Sequence, residues 1–183
     1  MKPMNDSDKP WEVISSEYLH RAPWLTVRKD HLVLPNGNHI LSYYILEYPD
    51  WVNTIAVTSD GQFVFIRQYR HGLQQTSYEL CAGVCEKEDA SPLASAQREL
   101  LEETGYGNGS WQEYMQISPN PSTHTNITYC FLATGVEKIS EQHLEDTESL
   151  SVHLLTLAEV KELLQKGEIK QALMAAPLWK YIT

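Results

Sequence analysis

Residues 91–106 read SPLASAQRELLEETGY and predict one sharply bounded helix. Ser91 is a favoured N-cap residue, and Pro92 suits the first helical position. Apolar residues recur through the segment, and Gly105 suits the left-handed residue that often ends a helix. A helix with these boundaries, placed between strand-like segments, makes the chain a mixture of α and β structure.

The second half of this helix carries three glutamates close together. Glu99 and Glu103 lie four residues apart and therefore nearly in line, and Glu102 falls within one turn of both. Like charges at this spacing repel by roughly 0.2–0.5 kcal/mol, and the negative end of the helix dipole adds to the cost. Spacing alone leaves two interpretations equally open: a solvated acidic face, or carboxylates that bind a divalent cation.

Two neighbouring features favour the cation. Arg98 is placed to pair with Glu102 across one turn, and ELCAG at residues 79–83 would put a backbone turn beside the acidic face. Carboxylates, carbonyl oxygens and waters are the ligands that Mg²⁺ and Mn²⁺ prefer. A bound cation would also attract a phosphate-bearing substrate, because it inverts the local field.

Strand patterns occupy much of the remaining chain. Alternating segments flank the hairpin turn PNGN at residues 35–38, and a second strand pair flanks the turn SDG at residues 59–61. Later elements are two strands at 126–134 and 150–157, an amphipathic helix at 156–167 and a proline-interrupted helix at 171–182. The order predicts an α+β (mixed α/β) fold with an N-terminal antiparallel sheet.

Three stretches are expected along the chain. Residues 1–10 are polar, so they are expected to form a disordered tail. Residues 11–48 are expected to form a small β-subdomain, and residues 49–183 the main domain. Three strands alone form a marginal unit. The small sheet is therefore expected to pack on the main domain or on a second subunit.

Composition excludes several classes of protein. The 183 residues carry a net charge of −10 without a Lys/Arg stripe, which argues against a nucleic-acid-binding surface. The three cysteines are too few for a disulfide framework and are read as buried thiols. The N-terminus lacks the apolar core of a signal peptide, and no apolar run approaches the ~20 residues of a membrane span. These features predict a soluble, cytoplasmic protein.

Residues 98–106, RELLEETGY, resemble the second half of the Nudix box, whose pattern is G-x5-E-x7-R-E-U-x-E-E-x-G-U with U aliphatic or aromatic. Every specified position of that half is matched. The first half departs, because Gly83 and Arg98 are separated by one residue more than the pattern allows. Counted back from the helix, Ala90 falls where the box glutamate would stand. The acids that could replace it are Glu86, Glu88 and Asp89.

The surrounding chain, about residues 24–175, resembles the ADP-ribose pyrophosphatase branch of this family. Two segments before the helix match motifs of that branch: FIRQYRHG its Q-[FY]-R segment, and ELCAG its E-x-P-A-G segment. After the helix, the loop SPNPSTHTN at residues 118–126 lies at the distance of the branch's substrate-loop proline, which would be Pro121. The loop departs from the S-P-G-G pattern expected for ADP-ribose itself. The branch's N-terminal sheet implies a homodimer formed through residues 11–48.

The resemblance implies hydrolysis, with Mg²⁺ or substituting Mn²⁺, of a nucleoside diphosphate linked to another moiety. ADP-ribose or a related nucleotide sugar would yield a nucleoside monophosphate and a sugar phosphate. Glu99 and Glu103 would be the main metal ligands, and Glu102 and the Ala82 carbonyl would complete the set. Arg98 would orient the glutamates by charge-assisted hydrogen bonds.

The other implied roles lie outside the helix. A general base is expected from the loop before the strand at 150–157, where Glu145, Asp146 and Glu148 are alternatives and the following Val-His favours Glu148. The further candidates for substrate contact are Arg70 for a phosphate or sugar, Trp51 for stacking on a base, and Pro121 and His124 for lining the pocket. Each of these roles has a simpler alternative. The acids of the loop would then only be solvated, Arg70 would pair with surface acids, and Trp51 would pack at a domain or dimer boundary.

Alternative functions remain open at this point. Other substrates of the same chemistry are GDP-mannose, FAD, NADH and dinucleoside polyphosphates, since contacts outside the box select among them. A different class is a Nudix-like sensor that binds a nucleotide without hydrolysing it. The three glutamates of the helix argue against the sensor.

Overall fold

The computed structural model describes residues 5–183, so the part of the predicted disordered tail at residues 1–4 lies outside the described residues. Asp6–Asp8 form one 3₁₀ turn, and the Lys9 ammonium pairs with the Asp6 carboxylate. The helices that follow are α1 (Pro92–Thr104), α2 (Leu157–Gln165) and α3 (Ala172–Ile182). The strands are β1 (Glu12–Ala22), β2 (Leu25–Val33), β3 (His39–Glu47), β4 (Trp51–Thr58), β5 (Phe63–Arg70), β6 (Gln75–Glu79), β7 (Cys81–Val84), β8 (Tyr106–Gly107), β9 (Ser110–Ile117), β10 (Thr128–Lys138) and β11 (Leu150–Leu155).

The chain forms two compact units. One contains the residues up to Tyr48 together with Asn120–Asn126, and the other contains Pro49–Pro119 and Ile127–Thr183. In the first unit β1, β2 and β3 form an antiparallel three-stranded sheet in that order. The predicted hairpin turn is confirmed, because Gly37 adopts a positive φ of 84° and the Leu34 amide donates to the Asn38 carbonyl.

The second unit is built on a mixed eight-stranded sheet. Its main path runs β11-β5-β4-β10-β8, and β6, β7 and β9 pair with β5, β4 and β10 respectively. β4 and β10 run parallel and every other pairing is antiparallel. The predicted turn between β4 and β5 is also confirmed, with Gly61 at a φ of 83°. With the first sheet, this architecture confirms the predicted α+β fold.

Helices cover both faces of β4, which explains why every residue from Val52 to Val57 is buried. On one face Ala56 lies in a buried cluster with Leu100 of α1. On the other face Ile55 is buried with Val160 of α2 and Leu178 of α3. The sheet therefore holds α1 against one of its faces.

The predicted boundaries of α1 are confirmed. The Ser91 hydroxyl accepts the Ala94 amide at 3.2 Å, Pro92 occupies the first turn, and Gly105 closes the helix with a φ of 71°. The α3 helix contains Pro177, which has no amide to donate to the Leu173 carbonyl four residues back. The buried Asn53 side chain donates to that carbonyl instead, at 2.9 Å.

Several predicted elements differ from the structure. The prediction of a turn at residues 79–83 is wrong, because Cys81–Val84 form a strand that pairs with β4. The strand predicted at 126–134 starts two residues later and continues to Lys138. Three strands, β6, β8 and β9, were not predicted, because their short or polar sequences lack a clear alternation of apolar residues.

Within residues 5–183, no helix is both long enough and apolar enough to cross a membrane.

Candidate active site

The acidic face of α1 lies against the backbone of β7. The Ala82 amide donates to Oε2 of Glu103 at 3.1 Å. The Glu99 carboxylate lies over Gly83, where a Cβ atom would come within 2.0 Å of Glu99 Cδ. Only a residue without a side chain allows this approach, so β7 forms a flat wall for both carboxylates.

The three glutamates of the helix occupy unequal environments. Glu103 is 4 % exposed, and the side chain of Glu99 is 12 % exposed, whereas that of Glu102 is 44 % exposed. Arg98 Nη1 donates to both Glu99 and Glu102 at 3.0 Å. Glu99 and Glu103 are therefore the buried acids of the site, and Glu102 is its solvent-facing member.

Arg98 is fixed from its other side by the segment before the helix. Its Nε and Nη2 donate to the two Asp89 carboxylate oxygens at 3.2 and 3.0 Å, and Nη2 also donates to the Val84 carbonyl at 3.1 Å. The guanidinium of Arg98 thus joins β7, the loop before the helix and two glutamates of α1. Such a paired geometry suits arginine and not lysine.

Asp89 is the acid that occupies the place left open in the sequence pattern. Glu86 and Glu88 are exposed, whereas Asp89 bonds to Arg98, which lowers the pKa of Asp89 to about 2. Counting forward from Gly83 leads to Asp89 after five intervening residues, so the additional residue lies between Asp89 and Arg98. Counting from the two ends of the pattern gives different positions, so the contact with Arg98 is what selects Asp89.

The two buried carboxylates hold their protons unusually tightly. Burial raises the pKa of Glu103 to about 8, and the charges of Glu99 and Glu148 add to the effect. Burial also raises the pKa of Glu99 to about 7, opposed by Arg98 and reinforced by Glu102 and Glu148. The loop acid Glu148 is therefore close enough to act electrostatically on both glutamates of the helix.

The site has the chemistry of a cation site. Within residues 5–183, no three carboxylate, imidazole or thiol groups converge tightly enough to form a ready-made metal cage. However, Glu99 and Glu103 are buried oxygen donors, and the charge of Glu99 raises the pKa of Glu103; a divalent cation would compensate for this repulsion. The donor set consists of hard oxygens, which fits Mg²⁺ or Mn²⁺.

Arg70 lies in the same electrostatic environment and is held by a buried acid. Its Nε and Nη2 donate to the Glu79 carboxylate at distances between 2.6 and 3.1 Å, and the Ser77 hydroxyl donates to the same carboxylate at 3.2 Å. The charge of Glu103 contributes to the raised pKa of Arg70. Arg70 therefore pairs with the buried Glu79 and not with a surface acid. The sequence analysis did not single out Glu79, although it lies in the quoted ELCAG segment.

The remaining predicted site residues are divided between the two units. Trp51 begins β4 in the second unit and lies opposite Val84 of β7. Pro121 and His124 belong to the first unit, where the His124 ring lies 5.2 Å from that of Tyr48. The backbone of Leu46 in β3 bonds to Thr123 and Thr125 on either side of His124. The structure thus places Pro121 and His124 in a segment attached to the N-terminal sheet.

Two family models match the chain. The model described as NUDIX domain matches residues 48–176. The model described as nucleoside diphosphate sugar hydrolase N-terminal domain matches residues 11–46.

Known proteins with similar sequences cover nearly the same length. The ADP-ribose pyrophosphatase of Mycobacterium tuberculosis (strain ATCC 25618 / H37Rv) is 28% identical over 172 residues, covering 93% of this chain and 82% of that protein. The ADP-ribose pyrophosphatase of Bacillus subtilis (strain 168) is 28% identical over 162 residues, covering 88% and 86% of the two chains. A solved structure titled as an ADP compounds hydrolase has the same fold, with a TM-score of 0.81 at 22% identity over 93% of this chain and 91% of that chain.

Proposed function

The chain belongs to the Nudix family and is a Nudix pyrophosphohydrolase, and on that premise we propose that it hydrolyses the pyrophosphate bond of ADP-ribose or of a related nucleotide sugar. The products are a nucleoside monophosphate and a sugar phosphate. The names of the two relatives and the match of residues 11–46 to the N-terminal domain of nucleoside diphosphate sugar hydrolases support this substrate class.

One structural observation carries the proposal. The buried carboxylates of Glu99 and Glu103 both lie against β7, and the charge of Glu148 contributes to the raised pKa of each. Burying charges of one sign in this way is unfavourable unless a cation compensates for them. A compensating cation is also what a doubly charged pyrophosphate needs before water can attack it.

Nudix hydrolases generally use divalent metal ions, and we propose Mg²⁺ here, with Mn²⁺ as a substitute. Glu99 and Glu103 would hold the ion, with Glu102 and the Ala82 carbonyl as additional ligands. When bound, the ion neutralises phosphate charge and makes water more acidic. Arg98 keeps Glu99 and Glu102 in place by its hydrogen bonds and does not itself need to touch the substrate.

The proton and the phosphate charge are assigned to other residues of the chain. We assign Glu148 as the base that accepts a proton from the attacking water, because it is the acid of its loop whose charge acts on Glu99 and Glu103. The water oxygen bonds to one phosphorus while the bond from that phosphorus to the bridging oxygen breaks. Arg70 uses its Nε and Nη2 on Glu79, which leaves Nη1 to bind a phosphate or sugar oxygen.

A substrate panel tests the proposal. The full chain is incubated with ADP-ribose, GDP-mannose, FAD, NADH and a dinucleoside polyphosphate, each with Mg²⁺ and with Mn²⁺, and released monophosphate is measured. We expect ADP-ribose or another nucleotide sugar to give the highest kcat/KM. Preferential cleavage of FAD, NADH or the dinucleoside compound would contradict the proposed substrate class, but it would still agree with hydrolysis of a pyrophosphate bond. Binding without turnover of any compound would favour the nucleotide sensor.

We also propose that the protein is a homodimer formed through the sheet of residues 11–48. Every residue of β1 except Ala22 is exposed, so this strand presents apolar side chains on both faces. The exposed large apolar residues of this sheet and its turns are Trp11, Val13, Ile14, Tyr18, Leu19, Trp24, Leu25, Leu41 and Tyr44. An apolar surface of this extent calls for a protein partner, and a second copy of the chain supplies a matching one. The cytoplasm is the proposed compartment.

A further inference from the structure

The C-terminal end of α1 is covered by residues 138–143, which we call the strap. The strap begins at Lys138, the last residue of β10, and leads directly into the loop that contains Glu148. The last carbonyl groups of any helix lack donors from within the helix and need partners from elsewhere. In α1 the Leu101 carbonyl accepts the Gly105 amide at 2.7 Å, so three terminal carbonyls remain.

The strap supplies a donor to each of these three carbonyls. The His143 amide donates to the Glu102 carbonyl at 2.9 Å, Gln142 Nε2 to that of Glu103 at 2.6 Å, and Lys138 Nζ to that of Thr104 at 2.9 Å. Two further strap amides, those of Ile139 and Ser140, donate to the Gly105 carbonyl. The strap therefore caps the helix turn that carries the metal-binding glutamates.

Two glycines allow the strap to lie this close. A Cβ atom on Gly105 would lie 2.1 Å from the Ser140 carbonyl oxygen, and one on Gly107 would lie 2.6 Å from Ile139 Cδ1. The backbone contact leaves no room for a side chain at Gly105, whereas at Gly107 the end of the Ile139 side chain would have to move. The strap is thus seated directly on the backbone that follows the helix.

Glu148 follows the strap closely. It comes five residues after His143. The intervening turn is closed by two hydrogen bonds, from the Glu148 amide to the Glu145 carbonyl at 2.9 Å and from the Glu145 amide to Glu148 Oε2 at 3.1 Å. The strap is therefore joined to Glu148 by a short segment that ends in a hydrogen-bonded turn.

We propose that Gln142 is a positioning residue, which ties the Glu148 loop to the backbone of Glu103 so that the base and the metal-binding helix keep one geometry. Its side-chain amide makes the only side-chain hydrogen bond to the Glu103 carbonyl among residues 5–183. This inference rests on the function proposed above, in which Glu148 is the base.

The first test measures docking without turnover. Amide hydrogen exchange is followed by NMR in the metal-free full chain, for the wild type and for Gln142→Ala. We expect exchange of the Ile139, Ser140 and His143 amides to become about tenfold faster, because these donors lose their fixed acceptors. The control Gln165→Ala removes an exposed glutamine at the end of α2 and leaves these amides unchanged. Unchanged exchange in Gln142→Ala would overturn the docking role.

The second test separates positioning from folding. With the most rapidly cleaved compound of the panel and Mg²⁺, Gln142→Ala should lower kcat about tenfold and change KM less than about twofold. In a Glu148→Gln background the same substitution should have almost no further effect. Two results would overturn the positioning role and leave the base in place. One is an equal fall in kcat when Gln142→Ala is made in the wild type and in Glu148→Gln. The other is a wild-type kcat for Gln142→Ala although Glu148→Gln is impaired. Full activity of Glu148→Gln would instead overturn the proposed base, and the positioning role with it.

Discussion

Glu103 is a carboxylate that the folded chain holds in an unfavourable place. Burial is the main reason that its pKa rises from 4.5 to about 8, and the charges of Glu99 and Glu148 add to it. Between these two pH values the folded protein binds a proton that the unfolded chain releases. The free energy of unfolding therefore falls as the pH rises through this window. A bound divalent cation stabilises the ionised carboxylate and should restore the lost stability.

Glu103→Gln should separate these effects. Because the amide does not ionise, the loss of thermal stability between about pH 5 and pH 8, measured in EDTA, should be smaller than in the wild type. Turnover should fall at least about a hundredfold, since an amide is a poor ligand for a hard cation. Thermal unfolding followed by circular dichroism and a monophosphate assay check both expectations.

The control for this variant is Glu137→Gln, which neutralises an exposed glutamate of β10. It should retain the pH dependence, the stabilisation by Mg²⁺ at pH 8, and the activity of the wild type. Retained turnover in Glu103→Gln would remove the metal assignment. If the stability of Glu103→Gln depends on pH as that of the wild type does, burial does not raise the pKa of Glu103 to about 8.

Asp89 makes its contribution through Arg98. Asp89→Asn should destabilise the protein by about 1–3 kcal/mol at pH 7, because it weakens a paired, mostly buried contact to a charged group. Since its pKa is lowered from 3.8 to about 2, this contribution is present above pH 4 and is lost as the pH falls toward 2. Urea unfolding at pH 7 measures the change, and kcat should fall about tenfold as Arg98 loses its fixed orientation.

Glu88→Gln is the matched control, since Glu88 is exposed and only one residue away. Its stability and activity should stay within about 0.5 kcal/mol and twofold of the wild type. A larger effect of Glu88→Gln than of Asp89→Asn would show that the structure assigns the wrong acid to Arg98.

At the scale of elements, Gly105 joins α1 to the strap. Gly105→Ala should lower the free energy of unfolding by about 2–4 kcal/mol, because alanine resists a φ of 71° and its Cβ would meet the Ser140 carbonyl oxygen. Urea unfolding measures this loss. Gly167 at the end of α2 provides the comparison, since it has a φ of 65° and nothing within 4 Å of a Cβ atom.

Gly167→Ala should show the backbone penalty alone, about 1 kcal/mol. The difference between the two variants measures how tightly the strap is seated on α1. Equal losses at both positions would mean that the strap moves away at little cost.

The elements differ in how well the sequence predicted them. The boundaries of α1 were predictable because Ser91, Pro92 and Gly105 each act locally, through hydrogen bonding or backbone preference. The strand β7 was not, because ELCAG contains no alternation and becomes a strand only by pairing with β4. Asp89 was left among three acids, because only the fold brings the right one to Arg98.

At the scale of the whole molecule, the proposed dimer can be tested by mass. The wild type should sediment at about twice 20.9 kDa. Leu41→Glu should sediment as a monomer, because Leu41 is 70 % exposed on the sheet proposed to meet the second copy. Analytical ultracentrifugation at micromolar concentrations distinguishes the two masses.

Leu73→Glu is the matched control, since Leu73 is 61 % exposed and lies in the other unit. This variant should keep the mass of the wild type. A monomeric wild type, or dissociation caused equally by both substitutions, would contradict a dimer through residues 11–48.

The boundaries of α1, the hairpin turns, the α+β class and the acidic face were predictable from the sequence, because each depends on residues that are neighbours along the chain. The sequence also carried the Nudix pattern of residues 98–106. The tertiary structure was needed to show that Asp89 is the partner of Arg98, that Glu79 holds Arg70, and that residues 138–143 cap the C-terminal end of α1. These contacts join residues between 9 and 41 positions apart, and such pairs are selected by how the sheet and helix pack, not by local preference.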